Sequence, residues 1–176
     1  MKTPILETER LLLRPMKASD AEEVYRNWTS DPEVATFMRW STHPNVEATR
    51  EWLASEEQEE ESDLLYDWGI VFKETGELIG SGGLSWSEEK QVYELGYNLM
   101  RKYWGRGLMT EAAKKMVEYG VQELNAKKIF GCHAVDNPAS GRVMEKLGFR
   151  YYGNSSYQSF DKQKKFDAKE YLLVVE

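Results

Sequence analysis

A single cysteine, Cys132, is all that the 176 residues contain, so no intrachain disulfide framework is open to the chain and a reducing compartment fits it. Long apolar runs are missing too: no stretch approaches the ~18 residues of a membrane span. The opening residues, Met1 to Ile5, lack the apolar segment of a secretory leader, and a cytoplasmic location without a membrane partner is expected. Positive charge is scarce. Lys and Arg number 23 against 30 Asp and Glu, a net charge of −7, which argues against nucleic-acid phosphates as the main partner. The same balance favours cationic or neutral partners. There are two histidines, and no metal is expected. His133 adjoins Cys132 on a strand-like segment, so the two face opposite sides, and no second ligand cluster exists. His43, beside Pro44, is a loop residue. Internal repeats and low-complexity linkers are absent, which leaves one domain over residues 1–176. A domain of that length buries roughly 70% of the surface its unfolded chain exposes.

The patterning places the elements. Leu11-Leu12-Leu13 reads as a first strand, ended by Pro15. Ser19-Asp20-Ala21-Glu22 reads as a capping box opening a helix with Val24, Tyr25 and Trp28 on one face, interrupted at Asp31-Pro32. Asn45 caps another helix with Thr49, Trp52 and Leu53 inward. That helix runs into the acidic residues Glu56 to Glu61, which form a solvated helix end or a docking patch for a cationic substrate. Three meandering strands follow: Trp68 to Lys73, Leu78 to Leu84 and Val92 to Met100. In the third, Tyr93, Leu95, Tyr97 and Leu99 alternate with Glu94, Gly96 and Asn98. From Thr110 the period turns helical. Lys128 to Val135 is strand-like. Asn137-Pro138 then starts a short helix, with Asn at the N-cap, and Gly148 stops it. Strands near Arg150 to Ser156 and Lys169 to Val175 close an α/β order of β-α-α-β-β-β-α-β-α-β-β.

The most informative stretch is Arg101-Lys102-Tyr103-Trp104-Gly105-Arg106-Gly107-Leu108-Met109-Thr110-Glu111, between a strand and a helix. Its two glycines allow a tight turn whose N–H groups approach a ligand closely. The helix start behind them offers unpaired donors and a positive dipole end. Arg101, Lys102 and Arg106 add charge for phosphate oxygens. The Walker pattern is absent, and a dinucleotide fingerprint would need a third glycine where Thr110 stands. On its own the stretch is an anion-binding turn or a plain glycine turn.

Lys102-Tyr103-Trp104-Gly105-Arg106-Gly107 resembles the Gln/Arg-x-x-Gly-x-Gly/Ala motif of the GNAT superfamily of acetyltransferases, with Lys102 in place of the usual Gln or Arg. The neighbouring Trp104 to Gly107 with Thr110-Glu111-Ala112 is similar to the RimJ and RimL branch, the ribosomal-protein N-acetyltransferases. Two further segments agree. Asn137-Pro138-Ala139-Ser140 through Lys146-Leu147-Gly148-Phe149 is similar to that branch's Asn-x-x-Ser…Lys-Leu-Gly-Phe segment. Leu6-Glu7-Thr8-Glu9-Arg10-Leu11 with Arg14-Pro15 resembles its first strand.

The resemblance implies a GNAT fold: a mixed, mostly antiparallel sheet flanked by helices, splayed at the central strand that ends near Met100. It implies acetyl-CoA as co-substrate and direct transfer to a primary amine. The acceptor would be a protein N-terminal α-amine or a small molecule such as an amino acid, polyamine or antibiotic. Main chain around Leu99 and Met100 would pair with pantetheine amides, and an amide near Leu99 would donate to the thioester oxygen, where losing one donor typically costs ~10²–10³ in rate. Amides of Gly105, Arg106, Gly107 and Leu108 would hold the pyrophosphate, with Arg101 and Lys102 adding charge. Asn137 would bind the pantetheine or thioester region, in competition with its capping role, and Lys146 would reach phosphates or stay solvated.

Chemistry also needs a base for the amine and an acid for the departing thiolate. Glu94 is the candidate base, its plainer role being an acid paired within the sheet. Many GNAT enzymes place a Tyr acid five residues before the Phe of the Gly-Phe pair. Here that residue is Met144, which cannot donate a proton. Ser140 is the substitute, its plainer role being a first-turn helix serine. Trp40, Trp86 and Tyr97 mark an aromatic acceptor pocket or belong to the core. The assembly is expected to be a monomer or homodimer. A non-catalytic acyl-CoA-binding module is the alternative.

Overall fold

The computed structural model describes residues 2–176. β1 (Leu6–Glu7) and β2 (Leu11–Arg14) form a small hairpin at the edge of the sheet. α1 (Ala21–Val24) widens into a π turn over Tyr25–Thr29, closed by the Ser30 N–H to Tyr25 O bond of 3.1 Å. α2 (Pro32–Ala35) and α3 (Val46–Gln58) follow. Then come β3 (Leu65–Phe72), β4 (Glu77–Ser87), β5 (Val92–Leu99), α4 (Leu108–Gln122), β6 (Lys128–Ala134), α5 (Pro138–Lys146), β7 (Arg150–Gln158) and β8 (Lys165–Val174).

All eight strands lie in one sheet, in the order β1-β2-β3-β4-β5-β6-β8-β7. Every neighbouring pair is antiparallel except β5 and β6. That parallel contact holds only at Tyr93↔Ile129 and Glu94↔Phe130. Beyond Glu94 the two strands part, as the mixed, splayed sheet requires. Period-2 side chains then split the molecule into two layers. Leu84, Leu95 and Leu99 pack with Leu108, Ala112 and Met116 of α4 on one face. Val24, Trp28 and Leu53 of the first helices pack with Leu78 on the other.

Local departures from the patterning have local causes. The cap lies at Lys17, two residues before Ser19: Asp20 accepts from the Lys17 N–H at 2.8 Å while Arg14 grips both its oxygens at 2.9 Å. Tyr25 does not share the buried face of Val24 and Trp28; its hydroxyl reaches Pro44 O. The π turn accompanies two buried polar ties, Asn27 Nδ2 to Leu78 O at 2.7 Å and Thr29 to Thr49 at 2.7 Å. Asn45 caps α3 as expected, accepting from the Ala48 N–H. The acidic run after it is not all solvated. Burial and the neighbouring Glu56 push the Asp67 carboxyl far up, and burial raises Glu56, with which it shares a hydrogen bond. The pair therefore binds a proton that the unfolded chain releases above about pH 4. Its contribution to stability is complete below that pH and drains away as pH rises through the raised folded values. Asp67→Asn keeps the hydrogen bond without the titration. The variant is expected to gain on wild type as pH rises, so the difference in urea midpoint should be larger at pH 8 than at pH 5.

Candidate active site

The parting of β5 from β6 opens a cavity of about 700 Å³. It is lined by Tyr97, Asn98 and Leu99 of β5, the turn Trp104 to Gly107, the start of α4 and the first turns of α5. Its main-chain geometry follows from the ladder. The Met100 N–H donates to Ile79 O at 2.8 Å. By antiparallel alternation the peptide groups of Leu99 then point the other way, into the gap. The Leu99 carbonyl is taken there by the indole Nε1–H of Trp104 at 2.7 Å.

At one end lies the glycine turn. Gly105 (φ +76°) and Gly107 (φ +74°) both occupy the left-handed region, which a side chain disfavours by roughly 1–2 kcal/mol. Gly107 is also the N-cap of α4 and supplies no side-chain cap. The first helical bond is Glu111 N–H to Gly107 O at 3.1 Å, so the preceding amides stay available to a ligand. Arg106 of this turn lines the cavity, as do Arg142 and Lys146 of α5. Glu111 clamps this turn to the β1–β2 hairpin. It accepts from Thr8 Oγ1 at 2.5 Å, Arg10 N–H at 3.0 Å and Arg10 Nε at 2.8 Å, and Arg10 also donates to Arg106 O at 3.2 Å. Burial opposes its ionisation, but the bonds from Thr8 and Arg10 outweigh that and hold the carboxyl below its usual range.

At the other end lies α5. Asn137 stands at its N-cap, yet its side chain makes no cap bond; it lines the cavity, as does Ser140. Tyr97 Oη lies 2.9 Å from both Ser140 O and Ser140 Oγ. Burial pushes the Tyr97 hydroxyl up to about 12, against the hydrogen bond to Ser140. Met144, where a tyrosine acid would stand, is buried against Gly131 and Phe149.

The expected site residues are thus divided. Leu99, Gly105, Arg106, Gly107, Leu108, Asn137 and Ser140 share the cavity; Met100, Arg101, Lys102 and Glu94 do not line it. Both main-chain groups of Met100 are used within the fold, by Ile79 O and the Tyr103 N–H. Arg101 is bound to Asp31 at 2.5 Å and Glu33 at 3.2 Å, and Lys102 lies 3.9 Å from Glu77. Glu94 faces the opposite side of β5, 3.8 Å from Arg39 and 3.9 Å from Cys132 Sγ. The three aromatics are not gathered. Trp40 packs against His43, Trp86 against Tyr93, and Tyr97 reaches α5. Asn98, Arg142 and the Tyr97–Ser140 link went unassigned in the sequence. The sequence pointed to Tyr97 as an acceptor-pocket or core aromatic, but nothing local ties it to a residue 43 positions away.

A mixed sheet parted beside a glycine-capped helix, with Ser140 across the gap, forms the site, and likeness to known proteins gives its class, an N-acetyltransferase. The chain belongs to the GNAT family: the family model described as "Acetyltransferase (GNAT) domain" matches residues 10–150. It is 33% identical over 149 residues to the uncharacterized N-acetyltransferase p20 of Bacillus licheniformis, covering 84% of this chain and 83% of that protein. It is 28% identical over 172 residues to the uncharacterized N-acetyltransferase YoaA of Bacillus subtilis, covering 97% of each. Among solved structures, a GNAT-family acetyltransferase from Bacillus anthracis superposes with a TM-score of 0.82 at 24% identity, covering 97% of this chain and 98% of that one. The ribosomal-protein-S5-alanine acetyltransferase of Vibrio fischeri superposes with a TM-score of 0.84 at 20% identity, covering 98% and 97%. The motifs and these likenesses are consistent with a RimJ/RimL-like branch.

Removing the Glu111 acceptor strands donors on Thr8 and Arg10 at a carboxylate that is only 20% exposed. Glu111→Ala is therefore expected to cost about 1–3 kcal/mol in urea unfolding.

Proposed function

We infer that the chain moves an acetyl group from acetyl-CoA to a primary amine by direct transfer in a ternary complex, in the cytoplasm. The observation that carries this reading is one cavity joining the capless α4 N-terminus, the β5–β6 gap and the Ser140 hydroxyl. The free amides at Leu108 and beyond suit a pyrophosphate, which the helix dipole also favours. Arg106, Arg142 and Lys146 add charge around it. The Leu99 peptide, turned into the gap, suits an amide-bearing arm that enters as an extra strand would.

Acetyl-CoA, when bound, supplies the acetyl thioester: the amine nitrogen forms a C–N bond to its carbonyl carbon while the C–S bond breaks, and the sulfur leaves with the electron pair. Ser140 Oγ gives the proton that the sulfur needs. Tyr97 governs that proton, because its phenol has one hydrogen and two acceptors at 2.9 Å. With its hydrogen on Ser140 O, the serine hydroxyl turns to the phenol oxygen. With its hydrogen on Oγ, the serine proton is freed for sulfur. Being raised to about 12, the phenol stays neutral throughout. Glu94, on the face where the acceptor would enter, takes the amine proton directly or through water. The acceptor is a small-molecule amine or a protein N-terminus; the Vibrio fischeri enzyme of the same fold is named for a ribosomal-protein acceptor.

Titration calorimetry with CoA, paired with thiol release over an amine panel, tests the reading. Tight CoA binding without transfer to any amine would leave only a binding module. Gly107→Asp adds a side chain and a negative charge at the left-handed cap, and is expected to abolish CoA binding. Ser140→Ala is expected to lower turnover more than CoA affinity. An unchanged rate would hand the proton to water.

A further inference from the structure

Resting on the transferase reading, the side of β5 away from Ser140 carries a second assignment. Glu94, Gly96 and Asn98 share that face by alternation. A Cβ at Gly96 would meet nothing within 4 Å, so the space between the two polar side chains is open. Asn98 Nδ2 donates to Ser81 Oγ at 3.0 Å, while its Oδ1 is buried without a partner. An orphan acceptor of this kind calls for an N–H donor. Beside Glu94 stands Arg39, its guanidinium 3.8 Å from the carboxylate and 5.0 Å over the Tyr157 ring. The ion pair is too long for a hydrogen bond, and Cys132 takes one guanidinium donor, which leaves others of its five for an anion.

Arg39 is held there by the β7–β8 hairpin. The Tyr157 hydroxyl donates to Phe37 O at 2.6 Å, the Phe160 N–H to Arg39 O at 2.7 Å, and Ser41 Oγ to Asp161 at 2.7 Å. Phe37 and Phe166 pack edge to face at 6.2 Å, and Tyr157 packs on Phe166 at 4.9 Å. A cation beside the acid is an odd companion for a polyamine, which it would repel, and a protein N-terminus brings no anion to meet it. An acid and a guanidinium side by side, next to an aromatic wall, match a zwitterion.

The geometry points to a free α-amino acid with an apolar side chain as the acceptor, its amine over Gly96 toward Glu94 and Asn98 Oδ1 and its carboxylate on Arg39. The transfer balances: the amine nitrogen gains the acetyl carbon and loses one proton to Glu94 or water, and the thiolate gains one from Ser140, whose Oγ recovers a proton from solvent. Arg39 forms no bond to the reacting atoms and is a specificity residue.

The test compares L-phenylalanine, L-phenylalaninamide, phenethylamine and a short peptide with a free N-terminus in the thiol-release assay with acetyl-CoA. The free acid is expected to exceed the others in kcat/KM by roughly 10- to 100-fold, the value of a charge-assisted hydrogen bond. Arg39→Gln should shrink that ratio toward one, and Arg39→Lys should leave it intermediate because a bidentate contact is lost. CoA titration of each variant checks that it is folded. Equal or better use of the amide, amine or peptide, or a ratio unmoved by Arg39→Gln, overturns the assignment while leaving the acetyltransferase intact. No transfer to any of the four, with CoA still bound, overturns the assignment, and failure across the wider amine panel as well overturns the transferase reading.

Discussion

The hydrogen-bonding demand of two parallel strands that stop pairing organises the whole molecule. β5 and β6 are joined at only two residue pairs, and every peptide group past Glu94 on the facing edges must find another partner or keep a vacancy for one. The rest of the fold answers that demand. β4 holds β5 straight along its other edge from Gly80 to Ser87, and β8 does the same for β6 from Lys128 to Ala134. The Trp104 indole covers one of the exposed carbonyls, that of Leu99. What remains open faces a cavity instead of bulk water, bounded by a helix start on one side and by α5 on the other.

The two helices do different work because their first turns are built differently. α4 begins on a glycine with no side chain to satisfy its amides, which leaves an anion site. α5 begins on Asn137-Pro138, where proline removes one amide and the asparagine side chain stays off the cap, so a polar group faces the cavity. The Glu111 clamp matters for the first of these. It fixes the glycine turn to a hairpin more than 90 residues away in sequence, through Arg10 and Arg106. A turn with two left-handed residues would otherwise be among the softer parts of the chain.

Much of this was legible in the residues, for reasons of distance along the chain. Period, caps and the glycine turn are local properties, and the strands, α3, α4 and α5 fall within a few residues of where the patterning puts them. Six of the seven cavity residues lie in the glycine turn and the Asn137 segment, whose motifs carry the family resemblance, and Leu99 came with the strand that the resemblance implies is splayed. What escaped is non-local. Tyr97 gains its meaning from Ser140 across the gap. Arg101 reads as a phosphate ligand from its neighbours, but Asp31, 70 positions earlier, holds it. Glu56 reads as one more solvated acid until β3 brings Asp67 beneath it. Asn137 has the residue type of a cap without serving as one. For Tyr97, Arg101 and Glu56 a long-range partner overrides a local preference.

The wall beside Arg39 is assembled from residues 35–41 and from the β7–β8 hairpin, stitched by a few hydrogen bonds between them. Thr36, Phe37 and Met38 of the first segment line the cavity together with the glycine turn, whereas the hairpin, at the far edge of the sheet, does not. The proposed acceptor wall and the cavity therefore meet at residues 36–38. A substitution in the β7–β8 hairpin would reach the wall beside Arg39 through Tyr157 or Phe160 without touching the turn, the gap or the serine.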